Sequence, residues 1–242
     1  AVTKLADIHL VASERAAERV IRMGENPQRV HVTGCPSIDV ARLAVDAPMA
    51  SNDIFQAYGG VGPKLELSKG YLVVLQHPVT NEHQDARLQI EETLAAVTES
   101  GLPALWLWPN VDAGSGLLAR GLRVGRERQR LDNIHFFKNL PPEEFLRVLN
   151  DSSGIVGNSS VAIRECAYLG VPAVNIGTRQ SGRDRAANVI DVDYDRRQIL
   201  DAIRICASIG HHNRDDLYGD GHAGDVHVAA RPGVHRPLGH PA

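Results

Sequence analysis

Between Tyr71 and Cys206 a short apolar run is followed by a segment of helical periodicity five times in succession. No other feature narrows the possible folds as much. The runs are "YLVVLQH", "ALWLWPN", "NIHFFKNL", "GIVGN" and "PAVNIG"; the segments after them are "DARLQIEETLAAVTESG", "GSGLLARGLRVGRE", "PPEEFLRVLNDS", "SVAIRECAYLG" and "DRRQILDAIRIC". Strands separated by helix-length segments cannot pair as hairpins, and right-handed crossovers join them into a parallel, doubly wound sheet. Only 5% of residues are aromatic, while Val, Ile, Leu and Ala abound in short runs, as in strands buried on both faces. The expected fold class is α/β.

Residues 1–45 repeat the pattern on a smaller scale. "IHLVAS" reads as a strand, "ERAAERVIRMGE" as a helix with Ser13 as its N-cap and Gly24 as its stop, and "RVHVTG" as a second strand. One such unit cannot bury both faces of a parallel sheet. Residues 1–45 are therefore expected to be the end of a larger domain and residues 46–210 a complete one, entered through a linker region that starts at "APMASNDIFQAYGG". From His211 onward six of the eleven histidines fall among Gly and Pro with no periodic apolar face. A metal-binding tail is one reading of residues 211–242; an irregular end is the one preferred.

The net charge of -3, with both signs interspersed, offers no field for a phosphate polymer, so no nucleic-acid partner is expected. Cys35, Cys166 and Cys206 lack the close spacing of a zinc or redox site and are read as reduced thiols of a cytoplasmic protein. No run is long enough to span a membrane. No metal or cofactor is expected.

Ligands of open parallel sheets sit beyond the carboxyl ends of the strands. His77 follows the first run, Asn110 the second, Ser159 and Ser160 the fourth, and Arg179 the fifth. Taken singly, His77 is as well explained as a loop residue and Asn110 as a turn former. In "GNSSVAIRE" a serine opening a helix serves first as an N-cap, yet Gly157 and the two serines also leave the first amides of that helix open to an anion. Glu165, about a turn and a half further on, is either an acceptor for sugar hydroxyls or a solvated helix charge. Arg179 adds a planar guanidinium suited to a diphosphate. These residues together describe an α/β domain for a phosphorylated small molecule.

The stretch "GNSSVAIRECAYLGVPAVNIGTRQSGRDRAANVIDV" resembles the UDP-N-acetylglucosamine 2-epimerases, especially their hydrolysing branch, and "AVTKLADIHLVASERAAERVIRMGE", "LWPNVDAGSG" and "LYGDG" fit the same family in the same order. The resemblance runs from residue 1 to about 221 and corresponds to the C-terminal two-thirds of a family chain. It implies a glycosyltransferase-B-like fold: one complete Rossmann-like domain that holds UDP, and the end of a second, N-terminally truncated one. By matching motifs, His77 corresponds to an active-site histidine near the diphosphate and Asn110 to an asparagine at the nucleotide. Ser159, Ser160 and Arg179 correspond to diphosphate ligands, and Glu165 to the carboxylate on the ribose. Leu140 sits where the family presents backbone to uracil.

The implied reaction takes UDP-N-acetylglucosamine and water to N-acetylmannosamine and UDP, for sialic-acid-type sugars. The family's C2 acids and bases lie in the N-terminal domain, so this polypeptide is expected to bind without turning over unless that domain is supplied, and to self-associate as a homo-oligomer. After "LYGDG" the family continues into a helix that "HAGDVHVAARPGVHRPLGHPA" is not expected to form. Gly116 stands where the animal bifunctional enzyme has a basic residue of its sialic-acid site, so no such feedback is expected. The non-hydrolysing epimerase branch, which "NIGTRQSGR" fits less well, a UDP-sugar glycosyltransferase of the same fold and a non-catalytic UDP-binding fragment are the competing readings.

Overall fold

The computed structural model describes residues 1–46, 53–82, 84–108 and 131–229. Two parallel sheets organise them. Strands β1 (His9–Val11) and β2 (Val30–Val32) form a two-stranded sheet, and β3 (Leu72–Leu75), β4 (Ala104–Leu107), β5 (Ile134–Phe137), β6 (Gly154–Gly157), β7 (Ala173–Ile176) and β8 (Val189–Val192) form a six-stranded one in the order β5-β4-β3-β6-β7-β8. The edge strand β8 is not among the five sequence runs. Its "VIDV" is only partly buried, so it lacks the continuous apolar character of its neighbours.

Period-2 side-chain alternation divides the apolar residues of the larger sheet between two layers. On one face Leu72, Val74, Trp106, Phe136, Val156 and Val174 meet Ile90 and Leu94 of the helix Ala86–Ser100, and Ile199 and Ile203 of the helix Arg196–Ile209. On the other, Val73, Leu105, Phe137 and Ile155 meet Ile38 of the helix Pro36–Asp46, Leu149 of the helix Pro142–Asn150, and Ile163. Trp106, Phe136 and Phe137 are among the largest fully buried side chains. Local chemistry sets the helix ends: Ser13 accepts from the Ala16 N–H, Asp195 accepts from the N–H groups of Arg197 and Gln198, and Gly101 closes its helix in the left-handed region.

Three local expectations are corrected. The segment read as one helix after β6 is two pieces, a 3₁₀ turn Ser160–Ala162 and an α-helix Glu165–Leu169. Within the stretch read as a linker, Asp53 caps the helix Ile54–Tyr58, and just beyond it Val61 bridges to Phe136 of β5. The region after "LYGDG", read as irregular, forms the helix Ala223–Ala229. The cause is non-local. The Asp39 carboxylate, on the helix Pro36–Asp46, accepts from the Ala223 N–H at 2.9 Å and the Gly224 N–H at 2.7 Å, so a cap distant in sequence satisfies amides that the local sequence does not.

The βαβ unit of residues 9–32 is tied to the larger domain through the same region. The Cys35 N–H donates to the Tyr218 carbonyl at 2.7 Å, and the Tyr218 hydroxyl donates to the Asp184 carbonyl at 3.0 Å. Gly34 and Gly219 allow this approach, since a Cβ on Gly34 would lie 3.0 Å from Gly219 Cα. Among the described residues no helix is long and apolar enough to cross a membrane.

Candidate functional site

Strand order locates the site. The chain leaves β3, adds β4 and β5 on one side, then returns to place β6 against the other side of β3. The carboxyl ends of β3 and β6 therefore flank a topological switch point, where crossovers diverge and leave a crevice. Gly157 lets the two ends close up: a Cβ there would lie 2.1 Å from the Leu75 carbonyl oxygen.

Asn158, the next residue, is fully buried and binds the strand ends together. Its Oδ1 accepts from the His77 N–H at 2.7 Å, and its Nδ2 donates to the His77 carbonyl at 2.8 Å. The Asn158 carbonyl accepts from Arg179 Nη1 at 3.2 Å and Gln180 Nε2 at 2.8 Å. One residue thus fixes His77 after β3 and the Arg179 turn after β7. The stretch "GNSS" does not by itself mark Asn158 for this task, although an asparagine amide at a buried strand end can answer both groups of a facing backbone.

Of the seven candidates, six are described. His77, Leu140 and Ser159 line one cavity of about 300 Å³ with Leu75, Leu107, Trp108, Lys138 and Phe145. It is an apolar slot edged by a histidine and a serine, within the size range of small-ligand sites. Ser159 Oγ accepts from the Val161 N–H at 3.4 Å, so the cap is real, and Ser160 Oγ accepts from Arg164 Nη2 at 3.1 Å. Glu165 is 4% exposed and its Oε2 has no hydrogen-bond partner; the solvated-charge reading is therefore wrong. Arg179 is exposed and lines a second recess of about 620 Å³ with residues 78–81, Thr178 and Ser181. Asn110, Gly116 and the helix expected from "GSGLLARGLRVGRE" lie outside the described residues.

Two further residues shape the site without having been singled out as ligands. Both oxygens of Glu82 are engaged, one by the Thr178 hydroxyl and the other by Gln89 Nε2 at 2.9 Å, so Glu82 ties the loop after β3 to the loop after β7. Tyr194 lies within 3.4 Å of Asn158 Nδ2, and burial pushes its hydroxyl pKa above the usual value. A larger cavity of about 930 Å³ lies elsewhere, between the helix Glu14–Arg22 and residues 183–185. It contains none of the seven candidates and is not the switch-point crevice.

The family model for UDP-N-acetylglucosamine 2-epimerase matches residues 1–230. The chain belongs to that family. It is 32% identical over 220 residues to a UDP-N-acetylglucosamine 2-epimerase of Neisseria meningitidis serogroup B, covering 91% of this chain and 55% of that protein. It is 31% identical over 221 residues to a UDP-N,N'-diacetylbacillosamine 2-epimerase (hydrolyzing) of Legionella pneumophila, covering 91% and 56%. Among solved structures it resembles the Neisseria meningitidis UDP-GlcNAc 2-epimerase bound to UDP-GlcNAc, with a TM-score of 0.74, 14% identity, and coverage of 94% of this chain and 62% of that one. The Methanocaldococcus jannaschii UDP-GlcNAc 2-epimerase in complex with UDP-GlcNAc and UDP gives a TM-score of 0.72 at 14% identity, covering 93% and 61%. The fold is accordingly glycosyltransferase-B-like, and the chain spans about half the length of the curated relatives it matches.

Proposed function

We propose that this chain supplies the UDP-holding part of a hydrolysing UDP-N-acetylglucosamine 2-epimerase. The observation that carries the reading is the slot at the β3/β6 switch point, where apolar walls meet His77 and Ser159. Uracil would occupy the slot against Leu140, with the ribose on the open oxygen of Glu165. The diphosphate would lie by His77, Ser159, Ser160 and Arg179, with Asn110 at the nucleotide. The family membership and the hydrolysing Legionella relative support the same reaction class.

In the first step the proton leaves C2 of the sugar, the C1–O bond to UDP breaks, and a C1–C2 double bond forms. UDP departs with the bonding pair. In the second step water adds its oxygen to C1, while a proton reaches C2 from the opposite face, giving N-acetylmannosamine. Departure of UDP concentrates charge on the diphosphate, so the Arg179 guanidinium and His77 act where charge develops. Proton transfer at C2 needs positioned acids and bases, which this reading assigns to a domain preceding residues 1–45. The assignment also places the protein in the cytoplasm and as a homo-oligomer; Val2, Leu5, Leu10 and Met23 are exposed apolar residues of the first unit.

The test is incubation with UDP-N-acetylglucosamine, with and without an added N-terminal domain of this family, following UDP and N-acetylmannosamine. Product only with the added domain, carrying solvent deuterium at C2, is expected. Transfer of the sugar to an acceptor, or turnover restricted to a diacetamido sugar nucleotide, would replace the assignment. UDP binding with no turnover under either condition would leave a UDP-binding protein in place of an epimerase.

A further inference from the structure

Arg164 stands between the 3₁₀ turn and the short helix, at φ -99° and ψ -70°, and its contacts are unusual for a residue with no assigned role. Its Nη2 donates both to Ser160 Oγ at 3.1 Å and to Glu165 Oε1 at 3.3 Å. Its Nη1 lies 3.5 Å from Cys35 Sγ, at the entry to the helix Pro36–Asp46. Two buried polar atoms here lack partners, Arg164 Nε and Glu165 Oε2. A buried polar atom normally has at least one hydrogen-bond partner, so Glu165 Oε2, shielded from solvent and unpartnered beside an oxygen that Arg164 holds, is left for a donor that a ligand brings to it.

We propose that Arg164 is a positioning residue for nucleotide recognition: it occupies Glu165 Oε1 and thereby presents Glu165 Oε2 to a ribose hydroxyl, while the same nitrogen fixes the Ser160 hydroxyl. The proposal rests on the reading of this site as a UDP site and deepens it. The planar fork of arginine suits the task, because one guanidinium can address several acceptors in fixed directions, whereas an ammonium acts as a point charge. The Cys35 contact extends the arrangement to the segment between β2 and the helix Pro36–Asp46.

The experiment is calorimetric titration of the full chain with UDP and with 2′,3′-dideoxy-UDP, which lacks the hydroxyls Glu165 would bind. The wild type is expected to prefer UDP by at least tenfold. Arg164→Met should collapse that preference to less than about threefold, mostly by weakening UDP, and Arg164→Lys should fall between the two. Equal weakening of both nucleotides by Arg164→Met would make Arg164 a general structural or electrostatic contributor, and an unchanged preference would remove it from the site; either overturns the proposal. Should Arg164→Met fail to fold, Arg164→Lys and Arg164→Gln carry the same comparison. Glu165→Gln separates the underlying reading: if it leaves the preference intact, the ribose assignment itself falls whatever Arg164 does.

Discussion

Replacing Asn158 by Ala should destabilise the protein out of proportion to the size of the side chain. The amide makes two bonds to the His77 backbone, at 2.7 and 2.8 Å, from a fully buried position. A typical intramolecular hydrogen bond contributes about 1 kcal/mol net, and a buried group deprived of its partner costs about 1–3 kcal/mol. Losing both bonds should therefore cost about 2–5 kcal/mol, a large fraction of the roughly 5–15 kcal/mol that holds a domain folded. Asn158→Asp sharpens the test: its carboxylate can still accept from the His77 N–H but opposes the His77 carbonyl, so it should be at least as damaging. Urea unfolding followed by circular dichroism gives both values, and amide exchange at His77 should rise. A cost below about 0.5 kcal/mol for Asn158→Ala, or a wild-type-like Asn158→Asp, would refute the idea that this amide joins the strand ends.

Arg179→Ala should weaken UDP binding by about 1.5–3 kcal/mol, the range for hydrogen bonds to charged groups, with little change in melting temperature because the side chain is exposed; calorimetry and thermal melts check both. Burial pushes the Cys206 thiol from its ordinary 9.0 up to about 11. The unfolded chain then ionises first, so the stability linked to Cys206 is complete below about pH 9 and is lost by roughly 3 kcal/mol as pH rises to about 11; Cys206→Ala should flatten that part of the unfolding profile. Asp39→Ala removes the cap of the helix Ala223–Ala229, which should cost about 1 kcal/mol and raise amide exchange at residues 223–224 while the β3–β7 core stays protected.

Continuous apolar runs made β3 to β7 legible in the sequence, because strands buried on both faces need little else to declare themselves. The half-buried β8 lacked that signal, although "VIDV" just before the Asp195 cap was a usable trace of it. The helix Ala223–Ala229 was not readable, since its cap comes from Asp39. At the site, the strand ends named His77, Ser159, Ser160 and Arg179, but spacing could not say that Glu165 is buried with an open oxygen. Nor could it show that Asn158 and Arg164 organise their neighbours. Both residues act through contacts with segments distant in sequence, His77 for one and Cys35 for the other, which a one-dimensional pattern does not contain.

The most direct test of the account is a crystal structure of the protein soaked with UDP. The account predicts uracil in the slot between Leu107, Leu140 and Phe145, the ribose within hydrogen-bonding distance of Glu165 Oε2, and the diphosphate at Ser159, Ser160 and Arg179. UDP seated in the larger cavity beside the helix Glu14–Arg22, or a switch-point crevice that stays empty at saturating UDP, would contradict it.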